Sequence, residues 1–379
     1  MAERKSIPVA TERLLWGVSA GRCEFEGCNK PLYKHDVTET TGNYAEKAHI
    51  HAVSPGGSRH EGLEIDVNNF RNLMLVCAVC HKTIDDNESD YSPERLFVMK
   101  QRHEERVKSV TAIEVSRKST MLFYTANTAS SHFSISEDKA RIALIASGRY
   151  PTENSPVDLS LTGSFTEDNE ESFYTLNAHN LLTAFEKRVL PNIENNTHIS
   201  VFAFAPQPLL VYLGSILTDK YAIEVFQRQG RNSDSWQWGD KYSAVDYIIE
   251  KPENKGPNVA VLFALSSKID KNRIYSTLGD DTAIYTLTID IPNRDFVTHS
   301  AVSDAFVAKS RVLIDMIKSE RGKLDKLHIF PVMPISLAIR FGMDYMPKTD
   351  PPLLIYDEIR DKGFVPSLTI GGTYENTRT

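Results

Sequence analysis

All four cysteines of the chain lie near its start, in two close pairs. Cys23 and Cys28 form the first pair, and Cys77 and Cys80 form the second. A structural zinc ion takes four soft ligands in a tetrahedron, and two cysteine-bearing turns deliver ligands at such spacings. The alternative is four unrelated buried cysteines. Because every cysteine of the chain falls into this pattern, the spacing favours a zinc site.

Three histidines accompany the cysteine pairs. His49 and His51 are two residues apart in a segment predicted to be extended, so their side chains should face one way. His81 follows Cys80 directly, and Asn72 lies nearby. A neutral imidazole can take a proton from water, and a divalent cation can neutralise a phosphate. The group could therefore hydrolyse phosphodiesters; the alternative is two ordinary strand histidines and one at a helix start.

Composition bounds the class of protein. The chain has 379 residues, 41% of them hydrophobic and 25% charged, which is typical of a globular protein of two or three domains. No apolar run is long enough to span a membrane and no signal-peptide core is present, so a cytoplasmic protein with reduced thiols is expected. The net charge of -7 does not indicate a nucleic-acid binder. Any DNA contact must therefore come from a local patch.

The elements that would position the cysteines and histidines occupy residues 1–110, predicted as one domain. A helix capped by Thr11 is expected within residues 1–22, and residues 45–53 should be extended until Ser54-Pro55-Gly56-Gly57 breaks them. Ser92 and Pro93 predict the start of a helix that ends near residue 110. That helix is the most basic element of the domain. Residues 111–120 are predicted to be a connector.

Residues 121–379 alternate between strand and helix patterns, which predicts an α/β domain with a mostly parallel sheet. The predicted strands are 121–124, 199–204, 222–226, 259–265, 284–291, 327–330 and 353–356. The predicted helices are 137–147, 178–190, 207–218, 300–319 and 335–343. Two strands end in a proline, Pro206 and Pro334, and each is followed eight residues later by a glycine, Gly214 and Gly342. This echo indicates two related halves, about 121–250 and 251–379; chance is the alternative.

Ligands of open α/β sheets bind beyond the carboxyl ends of the strands, where helix N-termini offer N–H groups to phosphates. Polar residues follow several predicted strands, and two tryptophans in a polar loop could stack on a base. The candidates are Gln207, Ser266, Ser267, Lys268, Arg294, Pro334, Ser336, Trp236 and Trp238. The alternative is that these are turn residues and packed tryptophans.

At its cysteines and histidines the chain resembles the HNH, or ββα-metal, endonucleases. The resemblance rests on the two cysteine pairs, His49-Ile50, Gly56-Gly57, Asn72-Leu73 and the Cys77 to His81 run. It implies that His49 is the general base, that Asn72 orients it, and that His81 binds catalytic magnesium or manganese beside a structural zinc. Many relatives have an Asp where this chain has Ala48. His51, Asp66 or Asp85 would then replace that ligand.

The remainder is similar to SAVED domains, which are tandem CARF-like (Rossmann-like) units that sense cyclic oligonucleotides. The residues concerned are 204–206, 261–268, 328–342 and 353–357. The combination is the layout of effector nucleases in CBASS antiphage systems. It implies activation by a cyclic dinucleotide, for example a cyclic GMP-AMP isomer. Ligand binding would drive homo-oligomerisation, and the oligomer would cut double-stranded DNA.

Two other functions fit parts of the pattern. A zinc-knuckle DNA-binding regulator with a ligand-sensing domain would need neither His49 nor His81. A modification-dependent restriction enzyme would cut methylated DNA without a nucleotide, and its C-terminal part would be a base-recognition module. The sequence leaves both open.

Overall fold

The structure is a computed structural model that describes most of the chain in two compact units, Met1–Glu114 and Val115–Thr379. The described residues are 6–51, 59, 66–126, 133–153, 155–161, 170, 172–193, 198–230 and 235–372. The predicted break at Ser54 to Gly57 lies outside them. No helix within these ranges is both long and apolar enough to cross a membrane.

The N-terminal unit consists of two antiparallel strands with helices packed around them. Its elements are α1 Val9–Val18, β1 Ala45–His49, β2 Leu73–Cys77, α2 Ala78–Asp86 and α3 Pro93–Thr111. Ala45 pairs with Cys77 and His49 with Leu73. The strands are short, and the core of buried leucines and isoleucines, such as Leu15 and Ile84, packs against them.

Two helix starts test the capping predictions for this unit. The side chain of Ser92 accepts from the Arg95 N–H, so it caps α3 as predicted. The prediction for Thr11 was wrong, because α1 begins at Val9 behind Pro8 and Thr11 lies inside its first turns. Proline has the extended backbone that a cap position needs, which a search for hydroxyl side chains overlooks.

The first half of the C-terminal unit is a parallel sheet. Its strands are β3 Lys118–Thr125, β4 Tyr150–Pro151, β5 Val157–Asp158, β6 His198–Phe204 and β7 Ala222–Val225. The order is β4-β3-β6-β7, with β5 also paired to β3. The helices are α4 Glu137–Ala146, α5 Ser172–Ala184, which continues as a π-helical stretch to Val189, and α6 Gln207–Leu217.

The second half carries a six-stranded sheet in the order β13-β12-β11-β9-β10-β8. Its four central strands are parallel, and the edge strands β8 and β13 are antiparallel to their neighbours. The strands are β8 Ile248–Glu250, β9 Val259–Ala264, β10 Ala283–Thr288, β11 Leu327–Val332, β12 Leu353–Ile359 and β13 Gly363–Ile370. The helices are α7 Asn272–Leu278, α8 Ser300–Arg321 and α9 Ile335–Met343.

The two halves meet where α6 crosses α9. A Cβ atom built on Gly214 would overlap the carbonyl oxygen of Ile339, and one built on Gly342 would overlap that of Val211. The glycines of the sequence echo are therefore the point of closest approach between the helices. The predicted boundary near residue 250 comes too late, because β8 already belongs to the second sheet.

Several short elements were not predicted. The connector at 111–120 holds a 3-10 turn, Val115–Arg117, and the first residues of β3. The edge strands β8 and β13 and the seven-residue α7 were also missed. Edge strands carry polar residues and prolines such as Pro366, so their apolar alternation is weak.

Candidate functional site

The four cysteines converge in the N-terminal unit. Their sulfur atoms all lie within 4.8 Å of one another, and the Sγ atoms of Cys28 and Cys77 are 3.9 Å apart. Four sulfurs at the usual Zn–S distance of about 2.3 Å form a tetrahedron with edges of about 3.8 Å. The donor set and its spacing therefore fit a tetrahedral zinc ion.

Backbone N–H groups shape the cysteine cluster. The N–H of Cys77 donates to Cys23 Sγ over 3.3 Å, and that of Cys80 donates to Cys77 Sγ over 3.5 Å. Burial raises the pKa of Cys23 to about 12 and raises that of Cys80 as well. Burial acts in the same direction on Cys77, but hydrogen bonds outweigh it and lower the pKa. A cation must therefore displace the protons of Cys23 and Cys80 to bind those two sulfurs.

The asparagine that orients His49 differs from the expected one. Asn68 Oδ1 lies 3.2 Å from the His49 Nε2. The side-chain amide of Asn72 instead accepts from the His51 N–H over 2.8 Å and donates to the carbonyls of His51 and Val67. Asn72 thus braces the backbone where the chain leaves β1. A hydrogen-bond partner that the structure gives the His49 ring is thus Asn68, and the catalytic role of either asparagine stays a prediction.

His81 has different neighbours from those of His49. Its ring nitrogens lie 3.9 Å from Glu46 and 3.7 Å from Asp85, which is one turn further along α2. Strand alternation puts Glu46 and His49 on opposite faces of β1. His51 lies beyond the end of β1, so alternation does not place it beside His49 as predicted. Strand alternation therefore does not support a common site for the three imidazoles, and their grouping stays a prediction.

Carboxylates near these histidines were considered as replacements for the ligand missing at Ala48. Asp85 lies beside His81, while Asp66 accepts from the Asn68 N–H over 3.2 Å. Among the residues that the structure describes, the cysteines are the one group of three or more metal-binding side chains close enough to share an ion. The segment between His51 and Asp66, apart from Arg59, lies outside the described residues. The catalytic metal site stays a prediction.

The C-terminal unit has a cleft of about 370 Å³ at the carboxyl ends of strands from both sheets. Four predicted residues line it: Gln207 follows β6, Ser266 follows β9, Arg294 follows β10 and Pro334 follows β11. Gln207 Nε2 donates to the Met333 carbonyl over 2.9 Å, which ties the two halves together at the cleft. The cleft is thus the place that the strand-end rule predicts.

Other predicted ligand contacts do not line the cleft. Ser267 and Lys268 are exposed and do not line the cleft. Ser336 is fully buried, and its N–H and hydroxyl both donate to Gln227 Oε1. Trp236 is 1% exposed and packs edge-on against Phe202, so it cannot stack on a ligand.

Trp238 also has a structural role. Its indole N–H donates to Glu224 over 2.9 Å, and its ring stacks on Phe226 at a centroid distance of 5.9 Å. It does not line the cleft. Both tryptophans therefore support the first sheet.

The cleft also contains charged residues that were not predicted. Arg228 follows β7 and lies over the ring of Phe133 at 4.7 Å, and Asp357 and Glu358 are at the carboxyl end of β12. The strand-end rule, applied to β7 as well, would have found Arg228. Other residues missed are Phe204, Gln227, Gly230, Asp295 and Phe364.

The ion pairs and hydrogen bonds of these charged residues determine which kind of ligand the cleft can bind. Tyr174 donates to Asp357 over 2.5 Å, and Arg273 pairs with Glu358. No carboxylate within the described residues forms an ion pair with Arg294, which is exposed. The N-termini of α6 and α9, at Gln207 and Ile335, add positive dipole ends. A ligand with separated negative groups and polar edges suits this lining.

Known proteins resemble this chain to different extents. None of the curated proteins matches the chain. A solved structure of an Acinetobacter baumannii Cap4 SAVED/CARF-domain containing receptor with the cyclic trinucleotide 2′3′3′-cAAA is 13% identical, with a TM-score of 0.44 over 77% of this chain and 61% of that one. The Moraxella osloensis Cap4 receptor is 9% identical, with a TM-score of 0.38 over 77% and 60%. The chain thus spans about three fifths of those proteins.

A family model gives the more direct result. Residues 181–370, half of the chain, match the SMODS-associated and fused to various effectors sensor domain, SAVED. The match begins inside α5 and ends with β13, so it includes the residues that line the cleft. The chain belongs to the SAVED family.

Proposed function

We propose that the chain is a ligand-gated effector of the CBASS antiphage type, in which the C-terminal unit binds a cyclic oligonucleotide. The observation that carries this proposal is the cleft at the strand ends of a SAVED domain, lined by Arg228 and Arg294. Arginine binds phosphate through several N–H groups. Gln207 and Asp357 would accept hydrogen bonds from base or ribose groups. A cyclic dinucleotide is the expected size class.

The output in this proposal is metal-dependent hydrolysis of double-stranded DNA by the N-terminal unit. Zinc held by the four cysteines would fix β2 relative to α2, because Cys77 ends β2 and Cys80 lies in α2. His81 and Asp85, 3.7 Å apart, would hold magnesium or manganese, which supplies charge neutralisation at the phosphate. His49, oriented by Asn68, would take the proton of the attacking water. Ligand-driven homo-oligomerisation would activate the unit.

The test uses the full-length protein and plasmid DNA with Mg²⁺ or Mn²⁺. A panel of cyclic dinucleotides and trinucleotides should contain one that switches cleavage on. Arg228→Ala and Arg294→Ala should abolish that response, whereas Lys268→Ala, an exposed charge outside the cleft, should not. Equal cleavage with and without every nucleotide would count against gating.

A second candidate is a DNA-binding regulator without catalysis. It is favoured by the position of His81, which lies beside Glu46 on one face of β1, whereas His49 is on the opposite face of that strand. His49→Ala and His81→Ala separate the two functions. Loss of cleavage with ligand binding retained supports the nuclease, and full function in both variants supports the regulator.

A further inference from the structure

One face of α3 presents a row of arginines. Arg95, Arg102 and Arg106 are spaced by seven and four residues, which places them on the same side of a helix. They span eleven residues, or about 16 Å along the helix axis. All three are exposed, and the side chain of Arg102 is 74% accessible.

The row continues onto the loop 22–29, which contains the first cysteine pair. Arg106 donates to the side chain of Asn29, and Arg22 donates to the Asn29 carbonyl over 3.0 Å. Arg102 lies 3.6 Å from Glu26 in the same loop. We call Arg22, Arg95, Arg102 and Arg106 together the arginine surface.

The surface is held in place by contacts that leave donors available. A guanidinium has five N–H groups, and Arg22 donates one of them to the Asn29 carbonyl. Arg95 lies over the ring of Tyr91 at 4.8 Å, and Tyr91 packs against Phe25 at 5.4 Å. Arginines anchored in this way lose less conformational freedom on binding than free side chains would.

Charge in this region differs from the rest of the unit. Residues 1–110 contain 15 Lys and Arg against 17 Asp and Glu, so the unit is slightly acidic. Several exposed carboxylates lie near the arginine surface. The pair of Glu26 with Arg102 is too exposed to cancel much charge, and Glu105 lies 3.8 Å from Lys108. Asp90 and Glu94 precede Arg95 at the start of α3. Glu24 in the loop 22–29 is buried. The arginine surface thus gathers four positive charges within a unit that is slightly acidic as a whole.

We propose that the arginine surface binds the phosphate backbone of double-stranded DNA. The inference rests on the proposed function for its choice of partner, but it concerns binding and not hydrolysis. A linear array about 16 Å long matches an extended polyanion better than a small anion. Its contacts would fix the position of the duplex without reading its sequence.

The experiment measures duplex binding by the full-length protein without divalent metal, across a series of salt concentrations. Arg102→Ala with Arg106→Ala should reduce the slope of log K against log salt by about 1.8 and weaken binding about tenfold or more. The loss should be equal for unrelated DNA sequences. Arg102→Lys with Arg106→Lys should restore most of the slope.

Matched controls remove the same charge elsewhere. Lys108→Ala removes one charge from another side of α3, and Lys323→Ala with Arg360→Ala removes two from the C-terminal unit. Their slopes should stay at the wild-type value, and all variants should keep the wild-type melting temperature. Equal losses in the controls would show a general charge effect and overturn the proposal.

The outcomes distinguish this inference from the proposed function. Surface-dependent duplex binding supports it even if the chain never cleaves DNA. Duplex binding that survives the double substitution overturns it even if cleavage is observed. Substitutions that weaken binding to single-stranded RNA or anionic vesicles but not to the duplex also overturn it.

Discussion

Trp236 shows how distant residues determine the environment of one side chain. It lies in a polar stretch, Ser-Trp-Gln-Trp, that predicts exposure. The Gln229 N–H donates to the Ser235 carbonyl over 2.7 Å, and the indole of the next residue packs on Phe202. Phe202 comes from β6, far earlier in the chain, and no local pattern reveals that contact. Gln207 and Arg294 were predictable because each directly follows a strand.

His328 provides a pH prediction at this scale. Burial lowers the pKa of its imidazole to about 4, from 6.5 for a free histidine, and its Nδ1 lies 2.9 Å from the Tyr356 hydroxyl. The folded pKa is below the unfolded one, so its stabilisation is complete above pH 6.5 and is lost as the pH falls toward 4. In His328→Gln, the loss of unfolding free energy between pH 7 and pH 4.5 should be smaller than in the wild type by about 2 kcal/mol.

The control for this measurement is His179→Gln, which changes an exposed histidine on α5. Denaturant unfolding at several pH values should give parallel curves for that variant and the wild type. If His328→Gln also ran parallel to the wild type, the buried imidazole would not be the source of acid sensitivity.

A cysteine substitution tests the zinc prediction. Cys28→Ser removes one sulfur from the cluster and should reduce bound zinc from one ion per chain to well below one. The N-terminal unit should then unfold at a lower temperature, because metal binding and folding are coupled. Zinc content by atomic emission and melting by circular dichroism are the measurements.

Val79→Ser is the matched control for the cysteine variant. Val79 lies next to Cys80 and is 70% exposed, so the change adds a hydroxyl beside the cysteine cluster without removing a sulfur. It should retain one zinc ion. A Cys28→Ser protein with full zinc content would contradict a four-sulfur site.

At the scale of elements, the sequence predicted the central strands and the helices between them better than the edges. The strand 199–204 and the helix 335–343 were within one residue of β6 and α9. Buried parallel strands are continuous apolar runs, which are easy to recognise. The echo of Gly214 and Gly342 predicted two similar halves but not that these glycines touch, because contact depends on how the sheets pack.

Substitution of Gly214 tests the crossing of α6 and α9. In Gly214→Ala the new methyl group would meet backbone atoms of α9, so the helices must separate. We expect a loss of about 1–3 kcal/mol in unfolding free energy and weaker ligand binding, since both helices begin at the cleft. Denaturant unfolding and isothermal titration measure the two effects.

Gly17→Ala is the control for that substitution. Gly17 is in α1, and a Cβ atom there has no heavy atom within 4 Å. Alanine also favours helix, so the variant should be as stable as the wild type or slightly more stable. An equal loss in both variants would mean that the helix crossing does not require glycine.

For the whole molecule, two units with separate cores predict separate unfolding. Clusters of buried residues in Met1–Glu114 do not mix with those in Val115–Thr379 within the described residues. Calorimetry should show two transitions. An activating cyclic nucleotide at 100 times its Kd should stabilise the C-terminal unit by about 2.7 kcal/mol, with a smaller effect on the N-terminal unit.

Removal of zinc should lower the melting temperature of the other transition, which is that of the N-terminal unit. A single transition that responds equally to nucleotide and to zinc would contradict independent units. The sequence already indicated two domains, because alternating strand and helix patterns begin soon after residue 110. It could not indicate the arrangement of His49 and His81, because that depends on how α2, which carries His81, packs against β1, which ends at His49.

The pairing of Ala45 with Cys77 has a practical consequence. The strand that presents His49 is anchored at its far end beside one of the four sulfurs, so stripping metal from the cluster would loosen the ladder itself. A chelator that stops DNA cleavage would therefore say nothing about which ion performs hydrolysis. Reconstitution in two steps, with zinc added first and magnesium second, would distinguish the ion that stabilises the fold from the ion that takes part in hydrolysis.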